Sequence, residues 1–457
     1  DMYLDEDGEV DTDRAQFSRA SAGVPGSVAG LLHALDRYGT MSRREVIGPA
    51  IRLAERGVTV TPAFAQALAS AESLAADESS LDYFGGFEAG DRMVQRDLAE
   101  TLRRIVRGGR DGFYAGETAD LIVAEMARGN GLITLEDLAG YEVIEREPVV
   151  GTYKGYTVAA MPPPSSGGVH MVQMLNILSG YDLQADGHNS ARYLHKLIEA
   201  MRRAYADRSV YLGDPDFVDV PVAELTDPDY ADRLRDTIDL SSSSRSADIR
   251  PGSELPSESM DTTHYSVIDA EGRAVAVTYT LNFSFGSGFS VDGAGFLLNN
   301  EMDDFSAKPG APNGYGLIGG EANEIEPRKR PLSSMTPTLV LKDDRVVLAT
   351  GSPGGSTIIT SVMQAVLNAV EWDMNIADAL NRPRIHHQWL PDVVILEPGI
   401  SPDTVRALEE MGHLFPCGED GAVQRSTLGL VNSVGREGDW FVGAADPRDP
   451  DSLAVGP

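Results

Sequence analysis

The hydrophobic pattern of the chain changes abruptly near residue 262, and this change narrows the possible folds. Upstream, apolar residues recur at helical spacing, for example between Leu194 and Met201. Downstream, residues 262–269 and 273–282 have the composition of strands and are linked by the tight turn 269–272, which predicts a β-hairpin. Helices followed by antiparallel strands indicate a layered α+β fold rather than alternating βαβ units.

Shorter elements follow the same division. Capping-box patterns that begin at Ser42 and Thr134 predict two helix starts. The uncharged stretch 346–370 is long enough for a membrane span, but its glycines and proline favour a strand, a turn and a helix. Further strands are predicted at 142–144, 156–161, 295–298, 338–341 and 346–349, and further helices at 169–178 and from Ser356.

A stretch rich in serine and proline, residues 240–261, predicts an exposed and flexible segment between the two halves. It ends at Asp261, directly before the hydroxyl residue Thr262. An interior threonine hydroxyl is a weak nucleophile, but cleavage before Thr262 would give it a free α-amine with a pKa of about 7.7–8.0. One residue would then supply both nucleophile and base. On this local pattern alone, an ordinary strand threonine is the simpler interpretation.

Longer motifs favour the catalytic interpretation. In chain order they are MPPPSSGG, YADRSVYLGDPDF, DTTHYSVIDAEGRAVAVTYTLNFSFGSG, FLLNNEMDDFSAKPGAPN, KRPLSSMTPTLV, GSPGGSTIITSV and NRPRIHHQWLPD. Together they resemble the γ-glutamyltranspeptidase family over essentially the whole chain. The resemblance implies an N-terminal nucleophile hydrolase with a four-layer αββα sandwich in one large domain. Its precursor would cleave itself into a large subunit, residues 1–261, and a small catalytic subunit, residues 262–457.

The resemblance also implies roles for individual residues. The catalytic residues would be the nucleophile Thr262, the second threonine Thr280 that supports it, and the oxyanion-hole pair Gly354 and Gly355. The substrate-binding residues would be Asn282, Glu301 and Asp304 at the α-amino group, Ser333 and Ser334 at the α-carboxylate, and Tyr315 as the gating aromatic of a lid loop, residues 308–330. Carboxylates that face an ammonium group and glycine N–H groups that face an oxyanion are both sound chemistry.

Each of these residues also has a purely structural interpretation. Asp304 fits a solvated turn, the serine pair fits the end of a strand, and the glycine pair fits a helix entry. Other motif assignments fail, because GSPGG is neither the nucleophile elbow G-x-S-x-G nor a P-loop with its lysine. His386 and His387 lack the spacing of a zinc pair on a helix, so packing is their expected role.

The chain differs from the family at its start. The family carries an arginine that pairs with the substrate α-carboxylate, just upstream of the position matching Asp1 and after a Gly-rich core segment. Neither Arg14 nor Arg19 matches that motif. Either the sequence is a fragment, or the carboxylate pocket lacks a bidentate partner. The first residues also lack the pattern of a signal peptide.

Charge excludes several kinds of partner. With 70 acidic and 38 basic residues, the net charge is −32, and only five of the basic residues are lysines. No basic stripe is available for a nucleic acid backbone, and an anionic membrane surface would repel the protein. This balance fits a protein adapted to high salt, and a GC-rich genome that favours arginine codons explains it equally. The single cysteine, Cys417, excludes an intrachain disulfide.

The leading hypothesis is therefore a γ-glutamyl transferase and hydrolase that needs no metal or organic cofactor. Its substrates would be glutathione and other γ-glutamyl compounds, its acceptors amino acids, peptides or water, and its two subunits would form a heterodimer. A related acylase for glutaryl or cephalosporin substrates is second, but Asp304 would meet no ammonium group there. A binding protein that no longer cleaves itself is third. The resemblance implies a periplasmic, secreted or cell-surface location.

Overall fold

The computed structural model describes residues 2–249 and 262–456. Its α-helices are α1 (Thr12–Gln16), α2 (Ser27–Tyr38), α3 (Arg43–Arg56), α4 (Pro62–Ser70), α5 (Glu78–Phe84), α6 (Arg96–Gly108), α7 (Asp111–Tyr114), α8 (Gly116–Ala127), α9 (Leu135–Gly140), α10 (Gly167–Ser179), α11 (Leu183–Asp186), α12 (Ala191–Tyr211), α13 (Val222–Leu225), α14 (Pro228–Asp236), α15 (Ser246–Ile249), α16 (Thr357–Val370), α17 (Ile376–Asn381) and α18 (Pro402–Glu410).

The β-strands are shorter and lie mostly in the second half of the chain. They are β1 (Val58–Thr59), β2 (Arg92–Met93), β3 (Val149–Tyr153), β4 (Tyr156–Ala160), β5 (Thr263–Ile268), β6 (Ala274–Tyr279), β7 (Ser290–Val291), β8 (Phe296–Leu297), β9 (Thr338–Lys342), β10 (Arg345–Gly351), β11 (Ile385–His386), β12 (Ile395–Leu396), β13 (Asn432–Glu437) and β14 (Trp440–Ala444). Helices and sheets together confirm the α+β class.

Two compact units make up the chain. The first contains Asp1–Glu145 and Thr280–Asp303, and the second contains Arg146–Tyr279 and Asp304–Pro457. Each unit therefore combines residues from before and after residue 262.

The first unit is largely helical. Helices α6 to α9 enclose a core that includes Ile122 and Leu138, and Val291 of β7 contributes to the same core. Both predicted capping boxes are present, at Ser42 before α3 and at Thr134 before α9. In each box the side chains of the first and fourth residues satisfy backbone N–H groups that the helix itself leaves unpaired.

The second unit is built on a six-stranded antiparallel sheet in the order β14–β13–β10–β9–β4–β3. Helices α10 and α16 pack on this sheet, and α12 packs on α10. Gly151 in β3 allows the close approach of α10, because a Cβ there would lie 2.7 Å from Val172. The hairpin β5–β6 packs on β10 and β13 as a second sheet, and its outer face exposes Tyr265, Val267 and Val275.

Most predicted elements are present, but two predictions need correction. The strand predicted at 142–144 is wrong, since these residues form no ladder and the first strand after α9 begins at Val149. The segment 240–261 is not exposed throughout, because Ser246 is fully buried at the start of α15. Its N–H donates to Asp392 at 2.7 Å, and its carbonyl accepts from Trp389 Nε1 at 3.0 Å. Residues 250–261, including the predicted cleavage residue Asp261, lie outside the described residues.

The uncharged stretch 346–370 forms β10, a turn and the buried helix α16, as predicted. In the part of the chain that the structure describes, no helix is long and apolar enough to cross a membrane.

Candidate active site

The open end of the hairpin β5–β6 carries the predicted nucleophile. Thr262 directly precedes β5 and is half-buried. The last residue pair of the hairpin joins Thr263 to Tyr279, and Thr280 is the next residue in the sequence. Both predicted catalytic threonines are therefore sequence neighbours of the same terminal pair.

His264 of β5 packs closely on Gly351 of the six-stranded sheet. Its buried ring lies with Nδ1 2.8 Å from Thr278 Oγ1 and Nε2 2.8 Å from Ser266 Oγ. Burial lowers the pKa of His264 to about 4, so the imidazole is neutral at neutral pH. A Cβ at Gly351 of β10 would lie 2.3 Å from this ring, so the glycine is required for the hairpin to pack this closely.

The predicted oxyanion-hole glycines form the turn between β10 and α16. Gly354 and Gly355 are buried, with φ of 135° and 52°, where other residue types are strained. Their carbonyls accept from the N–H groups of Thr357 and Ile358 at the start of α16. Neither glycine N–H has an acceptor among the described residues. Because buried N–H groups are nearly always paired, these two are suited to receive an oxyanion.

The proline-rich turn before α10 holds the backbone of the predicted carboxylate site. Ser333 N–H donates to the Pro164 carbonyl at 2.9 Å, and the Ser333 carbonyl accepts from Ser166 N–H at 2.8 Å. Ser166 Oγ donates to the same carbonyl at 2.9 Å. These bonds fix Ser333 and the adjacent Ser334 relative to the start of α10.

A buried arginine that the sequence analysis did not assign lies beside these serines. Arg208 of α12 donates from Nε to Ser166 Oγ at 3.1 Å and from Nη2 to Ser334 Oγ at 3.3 Å. Burial lowers the pKa of its guanidinium, and the nearby Tyr205 and Asp304 oppose that shift. Because arginine stays protonated in proteins, a positive charge lies directly behind Ser334.

Asp304 lines a small cavity in the second unit together with Arg208, Asn313 and Asn323. Its carboxylate accepts from Asn313 Nδ2 at 3.2 Å, and its backbone carbonyl accepts from Asn323 Nδ2 at 2.7 Å. The cavity wall therefore presents one carboxylate and one guanidinium, which are groups of opposite charge.

The predicted lid loop, residues 308–330, supplies another wall of this cavity. Asn313 organises the loop, since its Oδ1 accepts from the N–H groups of Tyr315 and Leu317. Tyr315 is buried, and its carbonyl accepts from Gln388 Nε2 at 3.1 Å. The structure thus places Tyr315 at the cavity-side loop without exposing it to solvent.

The other predicted site residues, Thr280, Asn282 and Glu301, belong to the first unit. Asn282 has φ of 76°, and its N–H donates to Thr280 Oγ1 at 2.7 Å. Its Nδ2 donates to the Asn300 carbonyl at 3.0 Å. Burial, helped by the charge of Asp303, raises the pKa of Glu301 to about 7. Glu301 Oε1 is buried with no hydrogen-bond partner among the described residues, so a donor from a ligand would satisfy it.

One cluster in the second unit has the residue types of a metal site, namely His195, Glu199 and His413. However, His195 Nδ1 and His413 Nε2 already lie 2.8 Å apart as a hydrogen-bonded pair. Glu199 pairs with Arg203 at 2.6 Å and with Arg202 at 3.5 Å. Two guanidinium groups beside the carboxylate oppose the binding of a cation, so the cluster is a buried polar network.

The histidine pair His386 and His387 is buried, as its expected packing role requires. His386 Nδ1 lies 2.8 Å from Thr360 Oγ1. His387 Nδ1 accepts from Trp389 N–H at 3.1 Å, and burial lowers the pKa of His387 to about 4.

The fold is that of an N-terminal nucleophile hydrolase of the α+β class. The family profile described as gamma-glutamyltranspeptidase matches residues 1–456. The glutathione hydrolase proenzyme of Escherichia coli (strain K12) is 49% identical over 462 residues, which cover 100% of this chain and 79% of that relative. The chain belongs to the γ-glutamyltranspeptidase family.

Two solved structures agree with this assignment. The γ-glutamyltranspeptidase of Helicobacter pylori is 45% identical with a TM-score of 0.54, and the match covers 55% of this chain and 74% of that one. The cephalosporin acylase of Bacillus halodurans has a TM-score of 0.79 at 26% identity, over 94% of this chain and 77% of that one. The resemblance inferred from the motifs is thus confirmed, together with the fold class.

Sequence reasoning missed Arg208 and Ser166, although both lie in motifs that carry the resemblance. Helix α12 is buried on nearly every side, so its hydrophobic pattern does not indicate where a given arginine points. The signal that could have singled out Arg208 is its place in YADRSVYLGDPDF, a motif with no assigned role.

Proposed function

We propose that this protein is a γ-glutamyl transferase and hydrolase whose substrates are glutathione and other γ-glutamyl amides. Membership of the family and a relative named glutathione hydrolase proenzyme support this proposal over the whole chain. The observation that carries it is the Asp304 carboxylate on the cavity wall. A γ-glutamyl group has an α-ammonium to pair with that carboxylate, whereas a simple acyl group has none.

In the proposed reaction, Thr262 Oγ attacks the γ-carbonyl carbon of the substrate, and the α-amine of Thr262 takes the hydroxyl proton. The Thr280 hydroxyl supports the nucleophile, and the N–H groups of Gly354 and Gly355 stabilise the oxyanion. The C–N bond then breaks, the amine leaves with the proton, and a γ-glutamyl ester remains on Thr262. Water or an acceptor amine attacks this ester and restores the free hydroxyl.

Substrate binding in this proposal follows the two charges of the glutamyl group. Asn282, Glu301 and Asp304 hold the α-ammonium, and Ser333 and Ser334 hold the α-carboxylate. Charge-assisted hydrogen bonds of this kind are the strong ones, so the amino-acid end of the substrate dominates recognition.

The lid loop 308–330 controls access in this proposal. Asn313 and Leu317 line the cavity, so a ligand enters only when this part of the loop moves. Tyr315 is the gating aromatic, and its bond to Gln388 is one that opening must break.

The free α-amine of Thr262 arises by self-cleavage after Asp261. In the second unit the two products remain joined, because β4 of the large subunit and β9 of the small subunit pair along four residues. A heterodimer held by the hydrogen bonds between β4 and β9 follows from this pairing.

We also propose that the protein is located in the periplasm, in the medium or on the cell surface. Fractionation of the host would check this location.

The test is a denaturing gel with N-terminal sequencing of the smaller band, for the wild type, Thr262→Ala and Thr262→Ser. The wild type is expected to give two bands, the smaller starting Thr-Thr-His-Tyr, and to hydrolyse γ-glutamyl-p-nitroanilide. Thr262→Ala should remain one band of 49.0 kDa without turnover, while Thr262→Ser should keep part of both functions because its hydroxyl remains. Cleavage or turnover by Thr262→Ala would overturn the proposal.

A second candidate function is an acylase, which the similarity to the cephalosporin acylase of Bacillus halodurans favours. Glutaryl-p-nitroanilide distinguishes the two functions, because it lacks the α-ammonium. We expect the γ-glutamyl anilide to be hydrolysed at least about tenfold faster than the glutaryl anilide, since a charged hydrogen bond contributes about 1.5–3 kcal/mol.

An unprocessed 49.0 kDa band in the wild type would instead indicate a binding protein. Activity that survives EDTA would support catalysis without a metal.

A further inference from the structure

Arg208 carries a buried positive charge that forms no salt bridge with a carboxylate of the described residues. Its guanidinium donates to two neutral hydroxyl groups, those of Ser166 and Ser334. Asp304 influences its pKa from across the cavity but makes no ion pair with it. A buried charge without a counter-ion is strongly unfavourable, so such a group usually has a further purpose.

The other fully buried arginines of the described chain are treated differently. Arg202 pairs with Asp392, Arg203 with Glu199, and Arg384 with Asp446 at 2.7 Å. Burial is thus combined with a carboxylate partner in each of these cases, and Arg208 is the exception.

The hydrogen bonds of Ser334 show how Arg208 acts on a ligand. A serine hydroxyl has one proton to donate and two lone pairs to accept with. Ser334 Oγ accepts from Arg208, and its own proton has no acceptor among the described residues. The positive charge of the guanidinium therefore polarises the Ser334 hydroxyl. The proton of this hydroxyl is available to donate a hydrogen bond to an anion.

We propose that Arg208 is a specificity-determining positioning residue that supplies the positive charge for the substrate α-carboxylate. This inference rests on the proposed function, and it names a residue of α12 that acts on the carboxylate through the Ser334 hydroxyl. Arg208 holds the Ser334 hydroxyl in place, strengthens its hydrogen bond to the carboxylate, and balances the charge that the ligand brings into the cavity. The ligand in turn neutralises the buried guanidinium.

The experiment uses three p-nitroanilides that separate the two charges of the glutamyl group. The γ-glutamyl anilide carries both charges, the glutaryl anilide only the carboxylate, and the 4-aminobutanoyl anilide only the ammonium. The enzymes are the processed wild type, Arg208→Met, Arg208→Lys, and the matched control Arg192→Met, which changes a 71% exposed arginine of the same helix. Where an analogue is not turned over, its inhibition constant against the γ-glutamyl anilide replaces kcat/KM.

Arg208→Met is expected to lower kcat/KM by about tenfold to a hundredfold for both substrates that carry the carboxylate, mainly through KM. It should change the value for the 4-aminobutanoyl anilide less than about threefold. Arg208→Lys keeps the positive charge but not the planar guanidinium with its several N–H donors. It should therefore lower kcat/KM less than Arg208→Met does for the same two substrates. Arg192→Met should match the wild type on all three.

Equal losses on all three substrates would show that Arg208 is merely structural and would overturn the inference. If Arg208→Met does not fold, Arg208→Lys decides by the same criterion, because its loss must still be confined to the carboxylate-bearing substrates. Failure of the proposed function gives a different result, since the wild type itself would then not hydrolyse the γ-glutamyl anilide.

Discussion

Arg203 and Arg208 lie on the same buried helix, α12, yet the fold treats their charges in opposite ways. Arg203 pairs with Glu199 at 2.6 Å and donates to the Thr237 carbonyl at 3.0 Å, so the protein itself compensates its charge. Arg208, five residues further along, donates only to hydroxyl groups in the described structure. Five residues are about one and a half helical turns, so the two environments are close in space but chemically distinct.

This difference in pairing distinguishes charged groups that stabilise the fold from polar groups whose partner would be a ligand. The network around Glu199 is closed, and burial is compatible with stability because each charge has an opposite charge nearby. Arg208 forms no salt bridge among the described residues, and the N–H groups of Gly354 and Gly355 and Glu301 Oε1 have no hydrogen-bond partner there. Such unmet groups lower stability and are tolerated where they serve binding or catalysis.

The largest effect is expected from removing each arginine in turn. Arg203→Met leaves Glu199 undercompensated in the core and should lower the free energy of unfolding by about 3–5 kcal/mol. Arg208→Met removes an uncompensated charge and should leave the free energy of unfolding unchanged within about 1 kcal/mol, or raise it. Urea denaturation of both variants measures the contrast. Equal destabilisation by Arg203→Met and Arg208→Met would contradict the proposed difference between the two arginines.

Gly354→Ala tests the proposed role of the Gly354 and Gly355 N–H groups in stabilising the oxyanion. The added Cβ would lie 2.6 Å from Thr357 Oγ1, and φ of 135° is strained for alanine, so the turn must shift. A displaced oxyanion donor should lower kcat by about a hundredfold to a thousandfold with little change in KM. The control is Gly30→Ala in α2, where the new methyl group would meet no atom within 4 Å beyond its chain neighbours and the adjacent backbone of its own helix, and it should leave kcat unchanged. A larger change in KM than in kcat would argue against a role at the oxyanion.

The buried carboxyl group of Glu301 should make the stability of the protein depend on pH. Its pKa rises from 4.5 to about 7 on folding, so the folded state binds more protons than the unfolded state between these values. The free energy of unfolding should therefore fall by on the order of 3 kcal/mol as pH rises from about 4.5 to about 7. Glu301→Gln stays neutral and should gain stability relative to the wild type over this range, as denaturation at pH 5 and pH 8 would measure. A stability difference that is the same at both pH values would contradict the assignment.

Salt should have the smallest effect, and it acts on exposed charges rather than on the buried arginines. The net charge of −32 implies mutual repulsion that is strongest when the Debye length is about 30 Å, at about 0.01 M salt, and weak at about 3 Å, near 1 M. Melting temperature and kcat/KM should both rise between these concentrations of NaCl, with most of the gain early in the range. KCl at the same ionic strength should act alike. A flat or falling melting curve would show that the acidity has no adaptive role.

The sequence by itself determined the local elements and the identity of most candidate site residues. Capping boxes and the strand–turn–strand pattern of β5–β6 depend on residues a few positions apart, so they can be predicted from the sequence directly. The ordered motifs likewise indicated Thr262, Asp304 and the glycine pair without any coordinates. The strand predicted at 142–144 failed because a short apolar run forms a strand only when a partner strand lies beside it.

Only the tertiary structure decided which polar groups have partners. Arg208 and Ser334 are 126 residues apart, and Ser246 and Asp392 are 146 residues apart, so no local pattern links them. The pairing of β4 with β9, which joins the predicted subunits, is equally remote in sequence. Arg203 and Arg208 look alike in the sequence because the compensation of a buried charge depends on which distant groups the fold brings within about 4 Å.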